Sequence, residues 1–335
     1  MRNAVIRSVG AYVPERVVPN SYFNELLGQD VDTWLRENVQ IYERRWAAED
    51  ESTADLVEKA AHQALERAGV KAGELDLLIV ATDTPEYISP STASKVQHRL
   101  GAKKAGTFDL NTACAGFVTA LDVASKYIRS DDRYNNVLVV GAYVMSKYLD
   151  KYDKKTANLF ADGAGAVVLT AEEVPGEGLK AQKGFLASEL RTEGQYCDWM
   201  GIYAGGTATP VDQEVVTAKD HKLKFVKRFP TELNPDMWSG MIRDLCQRIG
   251  EKPEDVDRFF ITQININSIY ATMDLLGLPR EKAPTIMHYY GYTGSACIPM
   301  AFNEAWEKEQ IKPGDLVVFI GSGGGLSFAS AAFRL

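Results

Sequence analysis

A lone cysteine among small residues, Asn111-Thr112-Ala113-Cys114-Ala115-Gly116-Phe117, is the stretch of this 335-residue chain best suited to make a sulfur nucleophile. Residues 105–110 before it read as a short strand, and Phe117, Leu121, Ala124 and Ile128 after it recur at helical spacing. Cys114 is thereby expected at, or just before, a helix N-terminus. Unpaired backbone N–H groups and the positive end of the helix dipole favour an anion there, which lowers a thiol pKa and raises the thiolate fraction. Ala113, Ala115 and Gly116 leave the sulfur approachable. The same pattern also fits an inert core sulfur, because free cysteine is among the most buried residue types. Cys197, Cys246 and Cys297 show no close pairing with it or with one another, so neither a zinc site nor a disulfide framework is indicated, and a reducing compartment fits.

The elements that would hold this cysteine recur in the second half of the chain. Arg67-Ala68-Gly69-Val70-Lys71, leading into Asp76-Leu77-Leu78-Ile79-Val80, is echoed by Arg248-Ile249-Gly250-Glu251-Lys252 and Asp257-Arg258-Phe259-Phe260-Ile261 at an offset of 181 residues. Val137-Leu138-Val139-Val140-Gly141 is echoed by Val317-Val318-Phe319-Ile320-Gly321 at an offset of 180. Such echoes predict two similar α/β halves, residues 1–175 carrying the nucleophile and 176–335 completing the site. In the first half, strands over 75–81 and 136–140 alternate with helices over 52–68 and 115–128. The Val-, Ile- and Leu-rich strands suit a layer buried on both faces. An offset of 180 from Cys114 falls on Gly294, inside Tyr290-Gly291-Tyr292-Thr293-Gly294-Ser295-Ala296-Cys297-Ile298-Pro299. Two pseudo-symmetric helix starts would then face one cleft, one with the thiol and the other with a Gly/Thr/Ser turn.

Composition sets the class. With 45% hydrophobic and 24% charged residues the chain reads as an ordinary globular protein, and a formal charge of −8 argues against nucleic-acid binding. The first ten residues read as a strand start rather than a signal peptide, and no apolar run reaches membrane-spanning length, so a cytoplasmic location is expected. One basic run, His221-Lys222-Leu223-Lys224-Phe225-Val226-Lys227-Arg228, belongs on a surface helix or its approach, as a solvated face or as a dock for an acidic partner.

Beyond the cysteine segment, five further pieces carry a resemblance: Ile41-Tyr42-Glu43-Arg44-Arg45, Ser89-Pro90-Ser91-Thr92-Ala93, Leu159-Phe160-Ala161-Asp162-Gly163-Ala164-Gly165-Ala166, the turn from Tyr290, and Gly323-Gly324-Gly325. Over nearly the whole chain these resemble the thiolase-fold condensing enzymes, specifically the β-ketoacyl-acyl carrier protein synthase III family. The resemblance implies a layered α/β/α/β/α fold of two duplicated halves, in which Cys114 takes an acyl group from a thioester carrier. It also implies a His and an Asn that stabilise the enolate of a malonyl-carrier. Here the family's His-Gln-Ala-Asn is Thr262-Gln263-Ile264-Asn265, and its Gly-Asn-Thr-Ser is Gly291-Tyr292-Thr293-Gly294, so Thr262 and Tyr292 stand where the His and Asn would. Trp34 matches the tryptophan that stacks on coenzyme A adenine, whereas Asn38 and Asn267 replace two phosphate-binding arginines. Losing an oxyanion donor costs about 10² to 10³ in rate. Forming an acyl-cysteine needs less: a thiolate and backbone N–H donors, which Cys114 and the turn at Gly324 supply. Of the residues that could replace the lost pair, His288 is the candidate base and Tyr292 a hydroxyl donor or site-lining residue, while Thr262 can donate but not act as base. Asn265 and Phe160 would line the substrate path. His62 and His98, in helical stretches, are structural.

The resulting expectation is an acyltransferase of fatty-acid, polyketide or related metabolism that loads Cys114 from an acyl carrier protein or coenzyme A thioester, with no tightly bound cofactor and no metal. The alternative is a non-catalytic or half-active subunit that pairs with a competent synthase. Acyl carrier proteins are acidic, so Lys224, Lys227 and Arg228 would attract one. Relatives are homodimers, and pairing across the two-fold through the strand after the cysteine helix, Val137 to Val140, is expected; a heterodimer with another ketosynthase is the other possibility.

Overall fold

The computed structural model describes residues 1–175 and 182–335; the division expected after residue 175 falls at the edge of the segment outside the described residues. In chain order, β1 (Arg2–Tyr12), β2 (Val17–Pro19), α1 (Asn20–Leu27), α2 (Asp32–Asn38), β3 (Glu43–Arg45), α3 (Thr53–Ala68), β4 (Leu77–Ala81), α4 (Thr92–Leu100), β5 (Gly106–Leu110), α5 (Gly116–Ser130), β6 (Asn136–Val144) and β7 (Asp162–Glu173) come first. Next are β8 (Gly184–Thr192), β9 (Met200–Gly201), α6 (Gln213–Ala218), β10 (Lys224–Phe225), α7 (Leu233–Ile249), β11 (Arg258–Ile261), α8 (Ile266–Leu276), α9 (Met287–Tyr290), α10 (Cys297–Glu307), β12 (Leu316–Gly323) and β13 (Ser327–Arg334).

Two main sheets run in the order β1-β7-β6-β4-β5 and β8-β13-β12-β11. They correspond strand for strand: the first two pairings in each are antiparallel, and β6–β4 matches β12–β11 as a parallel pair. Among the described residues only β5, parallel to β4, lacks a counterpart. Helix α5 packs on both sheets and α10 on β1, β7 and β11, while α3 and α4 cover the outer face of the first sheet and α7 packs on the second. The result is the thiolase-like layered α/β/α/β/α arrangement. Strands β4, β6 and β12 are almost wholly buried, as a continuous Val/Ile/Leu pattern requires when helices cover both faces.

Local sequence explains where the covering helices begin and end. Ser52 and Asp55 form a reciprocal capping box on α3, which closes at Gly69 with φ 67°. By contrast α5 has no side-chain cap, and Phe117, Val118, Ala120, Leu121 and Ala124 are buried around its circumference. A helix apolar all round belongs inside the layers. Gly141 and Gly321 occupy matching places in β6 and β12; a Cβ on the first would strike the Ser295 carbonyl and on the second would come to 3.0 Å from the Ala115 Cα. Each glycine lets the start of a central helix press onto a strand.

Two expectations are corrected. β6 is paired on both sides, by β7 and β4, so Val137 to Val140 cannot pair across a two-fold; among the described residues the unpaired edges of this sheet belong to β1 and β5. Of the two placements left for the basic run at 221–228, a surface helix or its approach, the helix is not found: the run is a turn followed by β10, which pairs with β9 and leads toward α7.

Candidate active site

Cys114 lies between the end of β5 and the start of α5, preceded by Ala113 at φ 47°. That left-handed conformation is rare outside glycine, Asn and Asp, and it turns the chain sharply before the helix. The Asn111 side chain holds the turn by accepting from the Ala113 N–H at 2.9 Å, and the Ala115 N–H donates back to the Thr112 carbonyl at 3.1 Å. From the opposite half, Gly323 at the end of β12 presses against the same turn: a Cβ there would collide with the Cys114 nitrogen and lie 2.7 Å from the Thr112 carbonyl.

The sulfur stands between two cavities. An outer cleft of about 480 Å³ is lined by Trp34, Asn38, Arg228, Phe229, Asn265, Asn267 and Tyr292, among others, with half-exposed Trp34 at its mouth. An inner chamber of about 280 Å³ is lined by Asp83, Asn111, Tyr143, Phe160, Tyr203, Leu223 and Gly324, among others. Cys114 and Met200 are the two residues common to both linings. The segment at 193–210 supplies chamber wall through Met200, Gly201, Ile202 and Tyr203.

Tyr292 is fully packed, with its ring 5.3 Å from Phe160 and 6.4 Å from Tyr143. Its backbone N–H donates to the Leu159 carbonyl at 2.9 Å, and its carbonyl accepts from Ala161 at 2.9 Å. Arg44 anchors the facing segment by donating to the Val18 carbonyl, Asn20 Oδ1 and the Asn158 carbonyl at 3.1, 2.6 and 2.8 Å; burial pulls its pKa down to about 9. The Trp46 indole donates to the Phe160 carbonyl at 3.1 Å.

Electrostatics reverse one expectation. Burial pushes the Cys114 thiol well above its ordinary pKa and the nearby Asp83 carboxylate adds to this, while a hydrogen bond from Tyr292 pulls the other way. The helix start does not make a standing thiolate, because the sulfur faces packed rings and a carboxylate, and the lining of neither cavity places a histidine beside it. Asp83 itself is pushed up to about 6 by burial, and its Oδ1 has no hydrogen-bond partner.

Two candidate catalytic residues are not where the sequence puts them. His288 has both ring nitrogens engaged, Nδ1 with the Gln40 carbonyl at 2.7 Å and Nε2 with Thr285 Oγ1 at 3.0 Å, and it stacks on Tyr42; it lines neither cavity. It is a fastener and not the base. Thr262 is buried, and its hydroxyl accepts from the Ser322 N–H at 2.9 Å, so it is spent on joining β11 to β12. Asn265 lines the cleft but its Oδ1 caps α8 by accepting from Asn267 N–H at 3.0 Å. The Asn267 amide in turn donates to the Asn38 carbonyl at 2.7 Å, so the two asparagines that replace arginines close on each other at the cleft. Lys224 is ion-paired with Asp220, Lys227 sits 4.0 Å from the Trp199 ring centroid, and Arg228 lines the cleft.

Sequence reasoning missed Asp83, Met200 and Tyr143. Only Asp83 carried a signal: an acidic residue just past the apolar strand 77–81, where the carboxyl ends of parallel strands meet ligands in open α/β sheets.

A cysteine at a central helix start, between two duplicated layers and opening on a cleft, is the arrangement of the thiolase-fold acyltransferases. A family model described as 3-oxoacyl-[acyl-carrier-protein (ACP)] synthase III matches residues 108–194, and the model of its C-terminal part matches 246–335. The β-ketoacyl-[acyl-carrier-protein] synthase III of Paracoccus denitrificans is 39% identical over 336 residues, covering 100% of both chains. The solved β-ketoacyl-[acyl carrier protein] synthase III of Thermus thermophilus has a TM-score of 0.88 at 33% identity, with 99% of each chain covered. The priming β-ketosynthase from the R1128 polyketide biosynthetic pathway has a TM-score of 0.89 at 28% identity, covering 99% of this chain and 96% of that one. The chain belongs to the 3-oxoacyl-[acyl-carrier-protein] synthase III family, whose members are acyl-transferring enzymes. No helix among the described residues is long and apolar enough to cross a membrane.

Proposed function

We propose that Cys114 accepts an acyl group from a phosphopantetheine thioester, of an acyl carrier protein or coenzyme A, lying in the outer cleft, and hands it to a second substrate. The observation that carries this reading is the position of the sulfur, in the walls of both cleft and chamber. The thiol gives up its proton, its sulfur bonds to the thioester carbonyl carbon, the carbon–sulfur bond to the carrier breaks, and the carrier leaves as a thiol. Backbone N–H groups of Cys114 and of the turn at Gly324 are the donors available to the tetrahedral oxyanion. Trp34 and Arg228 at the cleft suit an adenine or a phosphate, and Lys227 and Arg228 suit the surface of an acidic carrier. With Thr262 and Tyr292 in place of the usual His and Asn, the enolate of a decarboxylated malonyl group lacks its two donors. The acceptor is then a carbon, oxygen or nitrogen nucleophile attacked without that pair. Dimerisation through the free edge of β5 would extend the first sheet.

A half-active subunit needing a competent partner is the second reading, favoured by a Cys114 thiol that burial and Asp83 keep protonated. Intact-protein mass after incubating wild type and Cys114→Ala with a panel of acyl-carrier and acyl-coenzyme A thioesters separates them. A mass gain that requires Cys114 supports the acyl-enzyme. No gain from any donor overturns it in favour of the subunit, and carbon dioxide release from malonyl-carrier would reinstate decarboxylative condensation.

A further inference from the structure

The inner chamber has a mixed wall, with Met145, Phe160, Leu223 and Ile202 beside the polar groups of Asn111 and Tyr143, and one charged residue, Asp83, is built into it. Asp83 is partly accessible, but its Oδ1 is shut away without a hydrogen-bond partner, so a donor in the chamber would meet the other carboxylate oxygen; among the described residues it is the only Asp or Glu in the lining of either cavity that holds Cys114. Buried carboxylates are ordinarily paired or bonded, because an unpaired one loses its hydration with nothing in return. A plain alkyl chain filling this chamber would expel the remaining water from Asp83 and leave it unsatisfied. An acyl chain with one donor would instead make a charge-assisted hydrogen bond while its methylenes met the apolar wall.

Resting on the acyl-enzyme reading, we propose that the inner chamber receives an acyl group bearing a hydrogen-bond donor, a hydroxyl or an ammonium, and that Asp83 binds that donor. Asp83 is thus a specificity-determining residue on the acyl side of the sulfur. The chamber's volume of about 280 Å³ leaves room for a short chain and its substituent. An ammonium would have a further effect: by neutralising the carboxylate that raises the Cys114 pKa, the correct substrate would ease deprotonation of its own nucleophile.

The test is the rate of acyl-enzyme formation, followed by intact-protein mass, with pantetheine thioesters of hexanoic acid and of its β-hydroxy, ω-hydroxy, β-amino and ω-amino derivatives. At least one substituted donor is expected to load wild type about tenfold or more faster than hexanoyl. Asp83→Leu should abolish or invert that ratio. Asp83→Asn, which keeps an acceptor and loses the charge, should retain a hydroxyl preference and lose an amino preference; it also stands in if the leucine variant does not fold. Wild type loading hexanoyl as fast as every derivative, or a ratio unchanged in both variants, overturns this inference and leaves the acyl-enzyme intact. No loading by any donor overturns both.

Discussion

Replacing Asp83 by Asn should stabilise the protein, and by an amount that depends on pH. Burial holds the carboxyl at about 6 against an ordinary value of 3.8. The folded state therefore keeps its proton where the unfolded chain has lost it, so stability is favoured at low pH and declines as pH rises from 3.8 through about 6. Above that window the ionised native state carries a penalty of about 3 kcal/mol, and near pH 5 about half of it. Asn has no charge to desolvate. For a chain of 335 residues, unfolding entropy of about 2.1 cal/mol/K per residue turns 3 kcal/mol into roughly 4 °C of Tm. Thermal unfolding of wild type and Asp83→Asn should show a gain of about 4 °C near pH 7.5 and about 2 °C near pH 5. Any fixed cost of fitting the amide cancels in the difference between the two pH values. A gain that does not change with pH, or one larger at the lower pH, would refute a desolvated carboxylate at Asp83.

Tyr292→Phe removes the hydrogen bond that pulls the Cys114 pKa down, so alkylation by iodoacetamide near pH 8 should slow, and an unchanged rate would contradict that contact. Gly323→Ala drives a Cβ into the cysteine turn; thioester loading should be lost with a stability cost of about 1–3 kcal/mol in denaturant titration, and retained loading would mean the turn can yield. His288→Ala should lower Tm by a few degrees, through the lost bonds to Gln40 and Thr285, while Cys114 alkylation stays within about twofold. Abolished alkylation there would return His288 to the role of base.

The layers could be read in the sequence because they rest on local pattern. The strand at 77–81, the helices at 53–68 and 116–130, and the echo between β6 and β12 follow from apolar periodicity, the Ser52 and Gly69 ends, and one repeated spacing. The missing strand partner of Val137 to Val140 was not local: whether a strand lies at an edge depends on the order β7-β6-β4, which hydrophobicity does not encode. The site divides in the same way. Cys114 and Tyr292 stand out by motif, and the structure brings them together. The state of the thiol depends on its own burial and on Asp83, Tyr292 and Cys297, all outside the Cys114 segment, and burial outweighs the helix start. His288 resembles a base because it lies just before the turn, four residues from Tyr292, whereas its partners Gln40 and Tyr42 lie nearly 250 residues away in the chain.

The wall shared by cleft and chamber, a thiol and a thioether, also sets an order of events. On the proposed reading, an acyl chain bonded to the Cys114 sulfur and folded into the chamber would fill one side of this wall and leave the cleft vacant. The spent carrier has to depart before the acceptor can settle in the same cleft, and the two cannot share it. Turnover is thus a relay through one berth. Initial-rate plots against donor and acceptor should give the parallel lines of a ping-pong scheme, with each substrate, in excess, inhibiting by occupying the other's berth.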